Sequence, residues 1–199
     1  MKRISLKTSI DLTFAVFMIA FIVLAYSTYN RAESVRENRL IVYRTSNINA
    51  VLEKILSSTI DIETGTRGYT ITGDTSYLQV YKKGNKSLDV WIDSLQSMNE
   101  TNALQLQKLD TIKQLIESRK IISAQVIKTR GEEGIEEAIS IIKEGRGKEV
   151  MDSIRNSITN YQNEAVRILS ENLTQTEENV KARNTNFALF VIIAFIVVV

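Results

Sequence analysis

Residues 61–74 read DIETGTRGYTITGD. Gly65, Gly68 and Gly73 crowd together there, around Glu63 and Arg67 four residues apart. Glycine in a helix interior costs about 1 kcal/mol relative to alanine, yet a helical pattern runs through the stretch. Ile41, Ile48, Ile55, Ile62 and Tyr69 recur every seven residues, and Val51 adds a second apolar position. This is the seam of a helical bundle. Toward Gly73 its companion positions shrink to Ser58, Thr59, Gly65 and Thr66. Two readings fit that narrowing. One is close helix packing, with Glu63 and Arg67 as an ordinary i,i+4 surface pair. The other is a polar pocket, or a place where a neighbouring helix changes register. Gly65 and Tyr69 flank the pair, which favours a buried Arg67 meeting Asp152 or Glu149 of a later helix.

Working outward, the 199 residues contain no proline, cysteine or histidine. The absence of proline favours long, unbroken helices. Disulfides and His/Cys metal sites are excluded, as is catalysis by Ser-His-Asp or Cys-His groups. No cofactor is expected. LTFAVFMIAFIVLAY (12–26) lies in a stretch from Ser9 to Tyr29 with one charge, Asp11, near its start. A bilayer core takes about 20 apolar residues to cross, so 9–29 is a candidate transmembrane helix. AYSTYN continues into charged helix-forming sequence rather than a cleavage site, which marks an uncleaved anchor. Residues 1–8 form a basic tail with Lys2, Arg3 and Lys7, placing the N-terminus in the cytoplasm and residues 30–186 outside. FALFVIIAFIVVV (187–199) reads as the start of a second transmembrane helix, cut by the end of the sequence.

Setting aside Lys2, Arg3, Lys7 and Asp11 leaves 22 basic and 22 acidic side chains, all in 30–186. A balanced surface argues against nucleic acid as a partner. Gly73 should stop the first helix, with Asp74 or Thr75 capping the next. The second helix carries Tyr77, Tyr81, Leu88, Trp91, Leu95 and Met98. NETNA (99–103) follows as a turn, Asn102 and Gln105 being spaced as a capping box. The third helix bears Leu109, Ile112, Ile116, Ile122 and Val126 and should end at Gly131. A short helix, IEEAISIIKE, precedes breaks at Gly145 and Gly147. The last helix shows Met151, Ile154, Ile158, Tyr161, Ala165 and Ile168, and continues into the apolar C-terminal run. The expected fold is all-α: a membrane-anchored antiparallel four-helix bundle between two transmembrane helices.

GRGK at 145–148 is no phosphate loop. That motif needs glycine at Ile142, Ser or Thr at Glu149, and a preceding strand. EEGIEE (132–137) lacks the Asp/Asn pattern of a calcium loop.

The order of an anchor, ETGTRGYTITGD leading into YLQVY, GRGKEVMDSIR, and a second apolar run resembles the third class of CHASE domain. The name denotes a cyclase- and histidine-kinase-associated sensory extracellular domain. The resemblance covers about residues 35–185 and implies a helical extracytoplasmic sensor. The family-motif positions are Glu63, Thr64, Gly65, Arg67, Gly68, Tyr69, Gly73, Asp74, Gly147, Lys148, Met151, Asp152 and Arg155. Such sensors are carried by bacterial histidine kinases of two-component systems, and also by cyclases or chemotaxis-type receptors. The resemblance therefore implies a non-enzymatic input region in the bacterial cell membrane, with a histidine kinase domain after residue 199. Its partners would be the lipid bilayer, a second copy of the chain, and a small-molecule or protein stimulus. A rigid helical spacer without a ligand is the competing class.

Overall fold

The computed structural model describes residues 6–98 and 103–198. The described residues form five helices and no strand: α1 (Leu6–Thr72), α2 (Ser76–Met98), α3 (Ala103–Glu132), α4 (Ile135–Lys143) and α5 (Arg146–Val198). Lys2, Arg3 and the expected cap Asn102 lie outside the described residues. The chain divides into two compact units, Arg44–Arg167 and the two flanking segments up to Tyr43 and from Ile168 onward.

In the unit from Arg44 to Arg167, Ile48, Val51, Ile55 and Ile62 of the expected seam are buried, while Tyr69 is half-buried and Ile41 lies in the flanking unit. Ile48, Leu52, Ile55 and Ile62 of α1 pack with Leu88 and Leu95 of α2, Leu109, Ile112 and Ile116 of α3, and Ile154, Ile158 and Tyr161 of α5. Each helix offers one apolar stripe, so burying all four stripes requires a helical bundle. Cross-helix contacts fix the directions. Gly65 approaches Tyr81 while Gly84 approaches Ser58, so α1 and α2 are antiparallel. Lys113 bonds Gln96 while Lys120 pairs with Asp89, so α2 and α3 are antiparallel too. Burying such apolar surface stabilises by about 25 cal/mol per Å².

The turns follow from local chemistry. Gly73 adopts φ +72°, the left-handed geometry that closes a helix, and its N–H bonds Tyr69 O at 2.8 Å. Arg130 Nε of α3 donates to Thr70 O at 2.8 Å, satisfying another carbonyl of α1's last turn. The Asp74 carboxylate then accepts the Ser76 N–H at 2.8 Å and caps α2. Gly134 and Gly145, at φ +118° and +82°, bound α4 on either side. Gly145 breaks the chain as expected. Gly147 does not: it lies in the first turn of α5.

In the flanking unit, Asn30 Nδ2 donates to Asn184 Oδ1 at 3.0 Å, and the rings of Tyr26 and Phe187 stack at 3.8 Å. Phe14, Phe17, Phe21 and Leu24 are exposed on α1, as are Phe190, Ile193 and Ile196 on α5. Among the described residues one helix, α1 near its N-terminus, is long and apolar enough to cross a membrane, by length and composition alone.

Candidate functional site

The site lies where α1, α3, α4 and the start of α5 meet. The small residues of α1 serve two purposes there. A Cβ on Gly65 would fall 2.6 Å from Tyr81 N and 2.8 Å from Tyr77 O, so only glycine lets α2 pass at that distance. At Gly68 a Cβ would strike the Tyr77 ring at 2.1 Å. Thr59, Thr66 and Thr70 are buried, and each hydroxyl donates to the carbonyl four residues earlier at 2.7 to 2.8 Å. Their polar atoms are thus satisfied within α1, which leaves their methyl groups for packing.

Beside Thr66, a cavity of about 30 Å³ is lined by Arg67, Arg119, Ile122, Val126, Ile141, Ile142, Gly147 and Lys148. Among these residues Arg119 of α3 is only 5% exposed. Arg119 Nη1 donates to Ser123 Oγ at 3.0 Å, while Nε is buried with no hydrogen-bond partner. No carboxylate stands within ion-pair distance of it among the described residues. Burial pulls its pKa down, the nearby Glu63 carboxylate raises it, and the Arg67 guanidinium lowers it. An unpaired buried charge costs on the order of several kcal/mol, so the position is under electrostatic stress. Gly147 of α5 sits against it, where a Cβ would lie 3.3 Å from Nη1.

Of the motif residues, Arg67, Gly147 and Lys148 meet at this cavity. Glu63 borders it through its ion pair with Arg67, at 3.2 Å. The expected burial of Arg67 is corrected: its side chain is 53% exposed, and it meets neither Asp152 nor Glu149. Asp152 pairs instead with Arg155 of its own helix, at 2.9 Å on the surface. The reason is angular, since Arg67 stands two residues from both Gly65 and Tyr69, and such neighbours face different sides of a helix. Gly65 and Gly68 belong to the α1–α2 contact, and Gly73 and Asp74 to the turn. Met151 is core, and Thr64 is exposed. Tyr69 is partly buried, its hydroxyl near Gly131. Arg119 was not among the residues singled out from sequence. Its signal was present nonetheless, because Ile112, Ile116, Arg119, Ser123 and Val126 keep the 4-3-4-3 spacing of a seam with two polar members.

Among described residues there is no cluster of acidic groups fit for a metal ion. No curated protein matches the chain. The crystal structure of the Rhodopseudomonas palustris histidine kinase HK9 sensor domain has a similar fold, with a TM-score of 0.60 and 21% identity. The match covers 63% of this chain and 98% of that one. The CHASE3 domain model matches residues 39–175, a span that contains both glycine motifs and the whole cavity, and the chain belongs to the CHASE3 family.

Proposed function

We propose that the chain is the extracytoplasmic input module of a bacterial transmembrane receptor, a sensor histidine kinase of a two-component system working as a homodimer. The observation that carries this reading is the CHASE3 match over 39–175; the fold shared with a histidine kinase sensor domain supports it. The exposed apolar stretch of α1 and the basic residues before it support a membrane anchor with the N-terminus inside. The apolar run 187–199 supports a second membrane segment. In this reading the stimulus acts at the cluster around Arg67, Arg119, Gly147 and Lys148, and α1 and α5 carry the effect. Packed helices switch between discrete arrangements rather than deforming smoothly, so a small repacking at α5's first turn is a usable signal.

The test is made in the full-length receptor. Deleting residues 44–167 should fix its output at one level under all external conditions; an output that still responds overturns the sensory role. Reporter fusions at residue 100 should behave as exported, and cytoplasmic activity there overturns the orientation.

A further inference from the structure

We propose that the cavity between Arg119 and the first turn of α5 binds the carboxylate group of a small organic acid. Three cationic side chains, Arg67, Arg119 and Lys148, line it, and Glu63 is the one carboxylate that acts on Arg119 among the described residues. Glu63 is committed to Arg67, so Arg119 and Lys148 are left without an ion pair among the described residues. Arg119 is 95% buried by the 5% exposure given above, and its Nε lacks an acceptor. A guanidinium presents paired N–H groups that match a carboxylate. Gly147 lies against Nη1, and the backbone N–H groups of Arg146 and Gly147 have no backbone acceptor, because the first such bonds of α5 come from Lys148 and Glu149 to Gly145 O. A long helix's first turn favours an anion. The buried guanidinium and the start of α5 thus line the same cavity.

Size and wall chemistry narrow the ligand. The cavity of about 30 Å³ has room for roughly two water-sized groups, which admits a carboxylate head and little more. Ile122, Val126, Ile141 and Ile142 line it as well, together with Thr66, whose hydroxyl is already bonded to Ile62 O, a surface suited to a methyl or ethyl group and not to a second charge. Acetate and propionate have that form. Ile141 and Ile142 belong to α4, which has a glycine of positive φ at each end, and in this proposal that wall is the one that moves to admit the alkyl tail. The proposal rests on the sensory reading for the ligand's role, not for its binding.

Calorimetric titration of the purified chain in detergent, with acetate, propionate, inorganic phosphate and chloride, tests it. Acetate or propionate should bind, while phosphate and chloride bind at least tenfold more weakly. Arg119→Gln should weaken carboxylate binding tenfold or more. Gly147→Ala narrows the cavity beside Arg119 while keeping α5 helical, and should weaken binding similarly with the melting temperature held within a few degrees. No carboxylate heat up to about 10 mM, phosphate binding more tightly than both acids, or binding unchanged in Gly147→Ala would each overturn the proposal. If carboxylates fail to bind while the 44–167 deletion still silences the receptor, the site assignment falls and the sensory reading stands. If they bind while that deletion leaves the response intact, the site stands and its sensory role falls.

Discussion

Gly65 and Tyr81 bring the backbones of α1 and α2 closer than any side chain allows, since a Cβ on Gly65 would sit 2.6 Å from Tyr81 N. Backbone cannot swing aside as a side-chain tip can. Gly65→Ala should therefore overpack the contact and destabilise the chain by about 1–3 kcal/mol. Gly68→Leu, against the Tyr77 ring, should do the same. Urea melts followed by circular dichroism measure both; an unchanged midpoint for Gly65→Ala would show that α2 is not held at this distance.

The ion pair between Glu63 and Arg67 should respond unequally to its two deletions. Arg67 is half-exposed, and its own contribution to the pair is under about 1 kcal/mol. It also repels Arg119, so Arg67→Ala should be close to neutral. Glu63→Ala takes away the one carboxylate acting on Arg119 and should destabilise more than Arg67→Ala. A double-mutant cycle between Arg67 and Asp152 should give no coupling energy. Equal losses at Glu63 and Arg67 would contradict the role given to Glu63.

Asp74 provides a pH signature. The backbone and side-chain donors of Ser76 hold its carboxyl below the usual range. A folded pKa lower than the unfolded one stabilises fully above the unfolded value, about 3.9, and the gain is lost as pH falls through the folded value. Asp74→Ala should lower the melting temperature at pH 7, and the difference from the parent should shrink once the pH drops below about 4. A difference that stays constant from pH 7 to pH 3 would mean that the charge is not what caps α2.

Thr59 is fully buried, and its hydroxyl donates to Ile55 O at 2.8 Å. That carbonyl already receives the helix N–H four residues on, so replacing the hydroxyl with a methyl leaves no group orphaned. Thr59→Val should leave stability unchanged or raise it by up to about 1 kcal/mol. A loss above about 2 kcal/mol in chemical denaturation would show that the hydroxyl has a further partner.

Much of the helical core was legible because its signals are local. The seven-residue recurrence of Ile48, Ile55 and Ile62 places one face inward whatever the partners are, and Gly73 and Gly145 stop helices through their own backbone preference. Expecting Arg67 to meet Asp152 or Glu149 puts it beside the start of the last helix, where it lines a cavity with Gly147 and Lys148, although neither expected contact is made. Arg119 escaped because a search for apolar periodicity skips a charge at a core position, which is where a functional residue interrupts the pattern. Gly147 reads as a breaker because composition alone does not separate a glycine that ends a helix from one that makes room for a neighbour. The approach of Gly84 to Ser58 O, at 2.8 Å from a virtual Cβ, was equally invisible, since nothing around it in the sequence marks a partner.

The α1–α2 contact also bears on how the chain reaches its native state. Gly68 meets Tyr77 only nine residues further along, and Gly65 and Gly84 extend the same seam outward. Closing so short a loop costs little entropy, so we expect this helical hairpin to form early, which φ-values near one for Gly84→Ala would show and values near zero would refute. Contacts this local belong to fast folders, and a chain with no proline has no isomerisation step to delay it. The glycines that let two helices touch in the finished bundle thus also join them across a short turn, where docking costs little loop entropy.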